Sequence, residues 1–320
     1  MAVYAVTGGA GFIGSHLVDD LLADGHGVRV LDDLSTGLRS RLDRRADLTV
    51  ADVADPAALA RLLDGVEAVF HLAAIASVVR SNEDWAGTHR VNQGGTVAVL
   101  QAARQAGRMP VVYASSAAVY GHRSGPAQET LPPAPLSAYG ADKLGSELHA
   151  GIAFRVHGVP TIGLRFFNIY GPRQDLRSPY SGVISIFAAR VAQQQPLTVH
   201  GDGQQSRDFV YVGDAVRHLR AGLRLLQEKP QAAVVNVCTG TGTTILELAR
   251  TLGRLAGREP DIEFAPRREG DIRTSVGDPG WARTLLGIAA EAALQDGLAG
   301  WLPTGRQARP GALPLDPIPF

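Results

Sequence analysis

Tyr139 and Lys143 stand one helical turn apart in the stretch SAYGADKLG, residues 137–145. At i and i+4 of a helix two side chains share a face. An ammonium beside a phenol favours the phenolate and draws its pKa down from about 10 toward neutrality. A tyrosine tuned in this way serves as general base or acid at a sugar or alcohol hydroxyl. Only two of the 31 cationic side chains are lysine, Lys143 and Lys229. A chain that writes arginine almost everywhere keeps a lysine at this position. A second candidate lies upstream in VVYASSAAVYG, where Ser115 and Ser116 close an apolar run. Open α/β sheets keep their ligands at such carboxyl ends of strands.

A third signal is TGGAGFIGSHLVDDLL, in which Gly8, Gly11 and Gly14 follow a short apolar run and open a helical pattern. Glycines there let backbone approach a pyrophosphate, and the helix N-terminus supplies positive dipole. Asp32, in RVLDDLSTG, ends the next apolar run 18 residues past Gly14. A carboxylate at that place accepts hydrogen bonds from adenosine ribose hydroxyls and repels a 2′-phosphate. Asp33 follows and no arginine adjoins the pair, so the reading favours NAD over NADP. A flexible lysine such as Lys143 also donates well to a nicotinamide ribose.

The elements that must position these residues alternate along the first half of the chain. Residues 3–8, 27–33, 48–53, 68–74, 110–116 and 161–167 read as buried strands; 12–25, 56–63, 88–106 and 138–157 read as helices. That rhythm predicts an α/β fold with a doubly wound parallel sheet. After residue 168 the rhythm breaks, and a smaller C-terminal region is expected to cap the carboxyl edge of the sheet. The division expected is 1–168 for the dinucleotide-binding domain, with 209–240 returning to it, and 169–302 for the substrate region. Residues 303–320, with five prolines, read as a tail.

Composition narrows the class. The 320 residues carry zero net charge, 45% hydrophobic and 19% charged residues, which suits a globular protein and offers no basic stripe for nucleic acid. Cys238, the only cysteine, lies in the apolar VVNVCTG and reads as a buried thiol. No run approaches the roughly 20 apolar residues of a membrane span. The first residues show no basic leader or cleavage pattern. A cytoplasmic protein with no metal site is expected.

Taken in order, TGGAGFIG, DDLSTG, DV (52–53), HLAA, VN (91–92), SSAAVYG, YGADK and RFFNIYGPRQ resemble the extended short-chain dehydrogenase/reductase superfamily over about residues 3–302. The resemblance implies a Rossmann fold, bound NAD, a homodimer through 88–106 and 138–157, and Ser116, Tyr139 and Lys143 as catalytic trio. It assigns Phe12 and Ile13 to the cofactor turn, together with Asp33 and the loop Leu34, Ser35, Thr36 and Gly37. Asp52 and Val53 would flank the adenine. Leu72, Ala73 and Ala74 would line the cofactor, Asn92 would join them, and Phe167 would lie near the nicotinamide.

Within that superfamily the pattern is closest to UDP-glucose 4-epimerases and their hexosamine relatives. Related 4,6-dehydratases carry an Asp–Glu pair after the catalytic hydroxyl residue and decarboxylases keep a Glu; here stand Ala117 and Ala118. For a UDP-sugar substrate the resemblance assigns Ser77 and Ser116 to the sugar, and Asn168 and Arg207 to the diphosphate. Leu197, Thr198 and His200 would hold uracil, and Arg268 with Asp271 would reach phosphate and ribose. Ser275 stands where some relatives place a tyrosine against the sugar, and the smaller side chain leaves space for a C2 N-acetyl group. The resemblance also leaves room for a UDP-glucuronate 4-epimerase: Asn168 and Asp175 differ from some such relatives, while Arg173 and Arg177 could meet a carboxylate. The same trio would serve a net NAD-dependent nucleotide-sugar dehydrogenase or reductase. A non-catalytic NAD sensor fits least, because such relatives usually lose the tyrosine or the lysine.

Overall fold

The computed structural model describes residues 1–175, 182–267 and 271–301; Arg177, Arg268 and the 303–320 tail lie outside them. The first half runs β1 (Val3–Thr7), α1 (Phe12–Ala23), β2 (Gly27–Asp32), β3 (Asp47–Val50), α2 (Pro56–Leu63), β4 (Ala68–His71), α3 (Val78–Glu83), α4 (Trp85–His89), α5 (Gly95–Gln105), β5 (Val111–Ser116), α6 (Ala138–His157) and β6 (Thr161–Phe166). Then follow β7 (Asn168–Tyr170), α7 (Val183–Ala192), β8 (Leu197–His200), β9 (Ser206–Tyr211), α8 (Val212–Glu228) and β10 (Ala232–Val237). The chain closes with β11 (Gly242–Thr244), α9 (Ile245–Leu255), β12 (Ile262–Ala265), β13 (Thr274–Ser275), α10 (Gly280–Leu286) and α11 (Leu294–Ala299).

Local chemistry explains the ends of these elements. Asp55 caps α2 by accepting from Ala57 and Ala58 amides, with Pro56 at the first helical position. Ser137 caps α6, which ends at Gly158 in the left-handed conformation with φ of 72°. Thr244 and Glu247 form a reciprocal capping box on α9. All residues of β4 and β6 are buried, as parallel strands covered on both faces must be.

Seven parallel strands form the main sheet in the order β10-β6-β5-β4-β1-β2-β3. The order reverses between β1 and β4, and that switch point opens a crevice at the carboxyl ends of the strands. One face is covered by α1 and α8 around Leu17, Leu21, Leu219 and Leu223. The other is covered by α2, α5 and α6 around Leu59, Leu62, Val99 and Ala153. Beyond the sheet's edge β9 pairs with β7, β11 and β13, and β8 pairs with β12. These share a third core built on Tyr170, Phe187, Leu197, Val199, Phe209 and Leu248.

Three elements differ from the sequence reading by more than two residues, the first being β4, read over 68–74, which ends at His71. The third strand stops at Val50 because Asp52 turns the chain, accepting from the Ala54 amide at 2.8 Å. The helix read over 88–106 is instead α4, a π-helical turn Arg90–Gly94, and α5. The wide turn carries Asn92, and such turns recur at functional positions.

Candidate active site

Tyr139 sits in the first turn of α6, and Ser137 takes the Gly140 amide at 3.1 Å. The Tyr139 amide itself donates to Ser81 Oγ on α3 at 3.1 Å. Ser116, the last residue of β5, hydrogen-bonds the Tyr139 side chain and accepts the Ala118 amide at 3.1 Å. Lys143 Nζ lies 5.8 Å from the centre of the Tyr139 ring and donates to the Ala114 carbonyl at 2.9 Å. Ser116, Tyr139 and Lys143 therefore converge at the carboxyl end of β5.

Their electrostatics differ from the sequence reading. Tyr139 has its pKa raised, not lowered, because desolvation outweighs the hydrogen bond from Ser116. The ammonium of Lys143 rests over the ring face and is hydrogen-bonded to backbone, so it does not overcome that desolvation. Lys143, 3% exposed, is itself pushed down to about 8 by burial, opposed by the adjacent Asp142 carboxylate.

Beneath the trio is a buried polar layer that sequence reasoning missed. Glu147, one turn past Lys143, takes Ser115 Oγ at 2.5 Å. It also receives Arg165 through two bonds, Nε at 2.8 Å and Nη2 at 2.7 Å. Arg165 on β6 lies in register with Ser115 on β5 and Asn236 on β10. Its guanidinium stacks 4.7 Å from the Tyr120 ring, and the Tyr120 hydroxyl donates to Asn236 at 2.7 Å. The i+4 spacing of Glu147 from Lys143 was a usable signal for this layer.

The glycine turn follows β1, which lies on the other side of β4 from β5 in the sheet. Gly8, at φ +71°, lies so close to the chain after β4 that a Cβ there would come within 2.6 Å of the Ala73 amide. At Gly14 a Cβ would stand 2.2 Å from the Gly8 carbonyl. Gly11 caps α1 with no side chain, which leaves the first-turn amides near Phe12 and Ile13 free of any side-chain acceptor. These features fit a dinucleotide pyrophosphate. Leu72, Ala73 and Ala74 run alongside; the Leu72 amide donates to the Thr7 carbonyl at 3.0 Å. His71 behind them is bonded to Thr7 at 2.8 Å and Thr96 at 3.1 Å. Thr96 gives its own proton to the Asn92 carbonyl, so His71 donates from Nε2 and accepts at Nδ1. Burial holds His71 down at about 3, with Lys143 adding to the effect.

Asp32 is buried, and its oxygens accept the Ala10 and Leu34 amides, both at 2.9 Å. Burial raises its pKa against those two bonds, and Arg41 lies near enough to oppose the rise. Gly37 packs over the carboxylate, where a Cβ would approach to 2.5 Å. Asp33 is exposed and holds the Ser35 amide and hydroxyl, beside exposed Thr36. Asp52 is paired with Arg90 at 2.7 Å. Val53 is buried under Gly95. Asn92 is wholly buried, with both amide atoms on the Ile75 backbone, so it acts on the loop after β4. Phe167 is buried 6.3 Å from the Tyr120 ring.

Toward the smaller region, Asn168 begins β7 beside β9. Arg207 on β9 is paired with Asp271 at 2.6 Å and lies in register with Ser275. Thr198 accepts Arg190 at 3.0 Å. His200 lines a cavity of about 240 Å³ with Asp202, Gln205, Asp271 and Arg273. Strand alternation turns the Leu197 side chain away from those of Thr198 and His200, and it is wholly buried in the third core. Ser77 caps α3 by accepting the Arg80 amide. Arg268 lies outside the described residues. Among the described residues no group of His, Cys, Asp and Glu could hold a metal, and no helix is long and apolar enough to cross a membrane.

Known proteins resemble this chain over most of its length. The model of the NAD dependent epimerase/dehydratase family matches residues 4–238. A UDP-glucose 4-epimerase of Mycolicibacterium smegmatis is 39% identical, over 92% of this chain and 95% of its own. The Thermus thermophilus UDP-glucose 4-epimerase in complex with NAD superposes with a TM-score of 0.87 at 36% identity, covering 96% of this chain and 100% of that one. The UDP-N-acetylglucosamine 4-epimerase of Methanobrevibacter ruminantium, in complex with UDP-N-acetylmuramic acid, gives 0.89 at 31% identity, covering 94% and 97%.

Proposed function

The chain belongs to the NAD dependent epimerase/dehydratase family, and we propose that it interconverts the C4 epimers of a UDP-hexose, UDP-glucose and UDP-galactose or their N-acetyl counterparts. The observation that carries the proposal is the convergence of Ser116, Tyr139 and Lys143 on a site whose next residues are Ala117 and Ala118. A hydroxyl can be deprotonated there, while no side chain at those two positions can drive elimination.

Bound NAD supplies a hydride acceptor and then donor at the sugar C4, together with a cationic ring when oxidised. Tyr139 takes the proton from O4 and later returns it. Ser116 donates to O4 and fixes it at the tyrosine oxygen. Lys143, anchored on the Ala114 carbonyl, keeps a positive charge over the ring, which favours loss of the phenolic proton. A 4-keto sugar that turned over in the pocket would present its other face there, with Ser116 and Tyr139 again placed at O4. Arg207, oriented by Asp271, and Asn168 are suited to the diphosphate; Thr198 and His200 are suited to the uracil side. On this proposal 1–168 with 209–240 binds cofactor, and 169–302 binds the nucleotide sugar. Ser275 beside Arg207 supports acceptance of a C2 N-acetyl group, since a small side chain stands where some relatives carry a tyrosine.

The test is a proton NMR time course with UDP-glucose, UDP-GlcNAc and UDP-glucuronate, without and then with added NAD⁺. A 4-epimer formed without net NADH is the expected result. Accumulating NADH, or no reaction with any nucleotide sugar, would overturn it.

A further inference from the structure

The amide of Tyr139 occupies the second position of α6, one of the donors that a helix start cannot satisfy internally. Most helices meet that need from their own N-cap side chain. Here Ser137 serves Gly140 at 3.1 Å, and the Tyr139 amide turns to Ser81, which lies 58 residues earlier on α3. Ser81 is fully buried, and its hydroxyl proton is committed to the Val78 carbonyl at 2.7 Å. Its oxygen lone pair is thereby aimed at the Tyr139 N–H and cannot rotate away. The Ser81 amide in turn donates to the Ser77 carbonyl at 3.0 Å, and Ser77 Oγ accepts Arg80 at 3.1 Å.

We propose that Ser81 is a positioning residue for the catalytic tyrosine: it caps α6 from outside and carries the placement of the Ser77 segment to Tyr139. The inference rests on the catalytic role of Tyr139 proposed above. Ser81 touches no reacting atom; it acts through the backbone of the residue that does. A substrate engaging Ser77 then sits one helical turn from the cap of Tyr139. Displacing that turn tilts the first residues of α6 and moves the phenol relative to Ser116. A misplacement of about 1 Å is enough to cost up to a hundredfold in rate.

The test compares Ser81→Ala, which deletes only the oxygen, with Ser81→Thr, which restores it. Labelling with [¹⁵N]tyrosine gives a spectrum of seven tyrosine amides, from which Tyr139 is assigned by its loss in Tyr139→Phe. In Ser81→Ala the Tyr139 amide is expected to exchange with solvent about tenfold faster, the loss of one hydrogen bond. Its kcat should fall about tenfold or more with KM for the sugar within twofold, and Ser81→Thr should recover both. Unchanged exchange in Ser81→Ala would sink the cap. Unchanged kcat, or a rise in KM alone, would sink the coupling. A wild-type protein that turns over no nucleotide sugar defeats the epimerase proposal instead, and the exchange measurement still decides the cap.

Discussion

Tyr139 and Lys143 are held by different means, and the difference sets what each substitution does. Lys143 is tied to β5 through the Ala114 carbonyl, whereas the phenol of Tyr139 hydrogen-bonds the Ser116 side chain and its ring lies beneath the Lys143 ammonium. Tyr139→Phe should therefore leave the fold and NAD retention intact while lowering turnover about a thousandfold, in line with removal of a general base. Wild-type-like rates in that variant, with cofactor counted after denaturation, would defeat the mechanism. His71 predicts a pH dependence. Its folded pKa, about 3, lies below the usual 6.5, so the unfolded chain binds the extra proton between those values. Stability contributed by neutral His71 is complete above about 6.5 and falls by about 1.4 kcal/mol for each pH unit below it. Acid unfolding of His71→Gln should show a shallower slope over that window; an equal slope would assign the acid sensitivity to other groups. The trio was legible in sequence because Tyr139 and Lys143 are four residues apart and Ser116 ends an apolar run. The raised pKa of Tyr139 was not, since burial is a property of the whole crevice. Nor was the cap at Ser81, a contact between distant segments that no local spacing announces.

At the scale of elements, α6 is keyed to the sheet by two successive turns, Lys143 on Ala114 and Glu147 on Ser115 and Arg165. The Glu147–Arg165 pair is nearly sealed from solvent. Glu147→Gln leaves the guanidinium uncompensated, at a cost of roughly 3–5 kcal/mol. The thermal midpoint should drop by roughly 5–8 °C. Replacing both partners, as Glu147→Leu with Arg165→Met, should restore much of it, because a buried pair often exchanges evenly with apolar residues. A double variant less stable than Glu147→Gln would contradict this account. Most elements were readable from apolar runs and caps; α2 and α6 match the sequence reading residue for residue. The break in 85–105 was hidden because a π turn needs no breaker residue, only an Asn92 drawn to Ile75. Strand alternation within LTVH was available in principle, and it separates Leu197 from its neighbours.

At the scale of the molecule, an apolar stripe among the described residues lies outside the cores. Leu148, Ile152 and Val156 recur every four residues along α6 at 60%, 44% and 66% exposure, with Val97 on α5 nearby in the same helical layer. A homodimer through these helices would cover them. Light scattering should give twice the 33.7 kDa chain mass, and Leu148→Glu with Ile152→Glu should reduce it to the chain mass. A wild-type monomer at micromolar concentration would remove the dimer proposal.

The strand order has a consequence for synthesis. β6 is covered on one edge by β5 and on the other by β10, which is made about 70 residues later. At roughly 5–20 residues per second, the ribosome leaves that edge bare for several seconds. During that interval an apolar strand with unpaired amides is held out to any neighbouring nascent chain. That exposure runs from the emergence of Phe166 to that of Val237, and it ends when β10 zips onto the waiting edge.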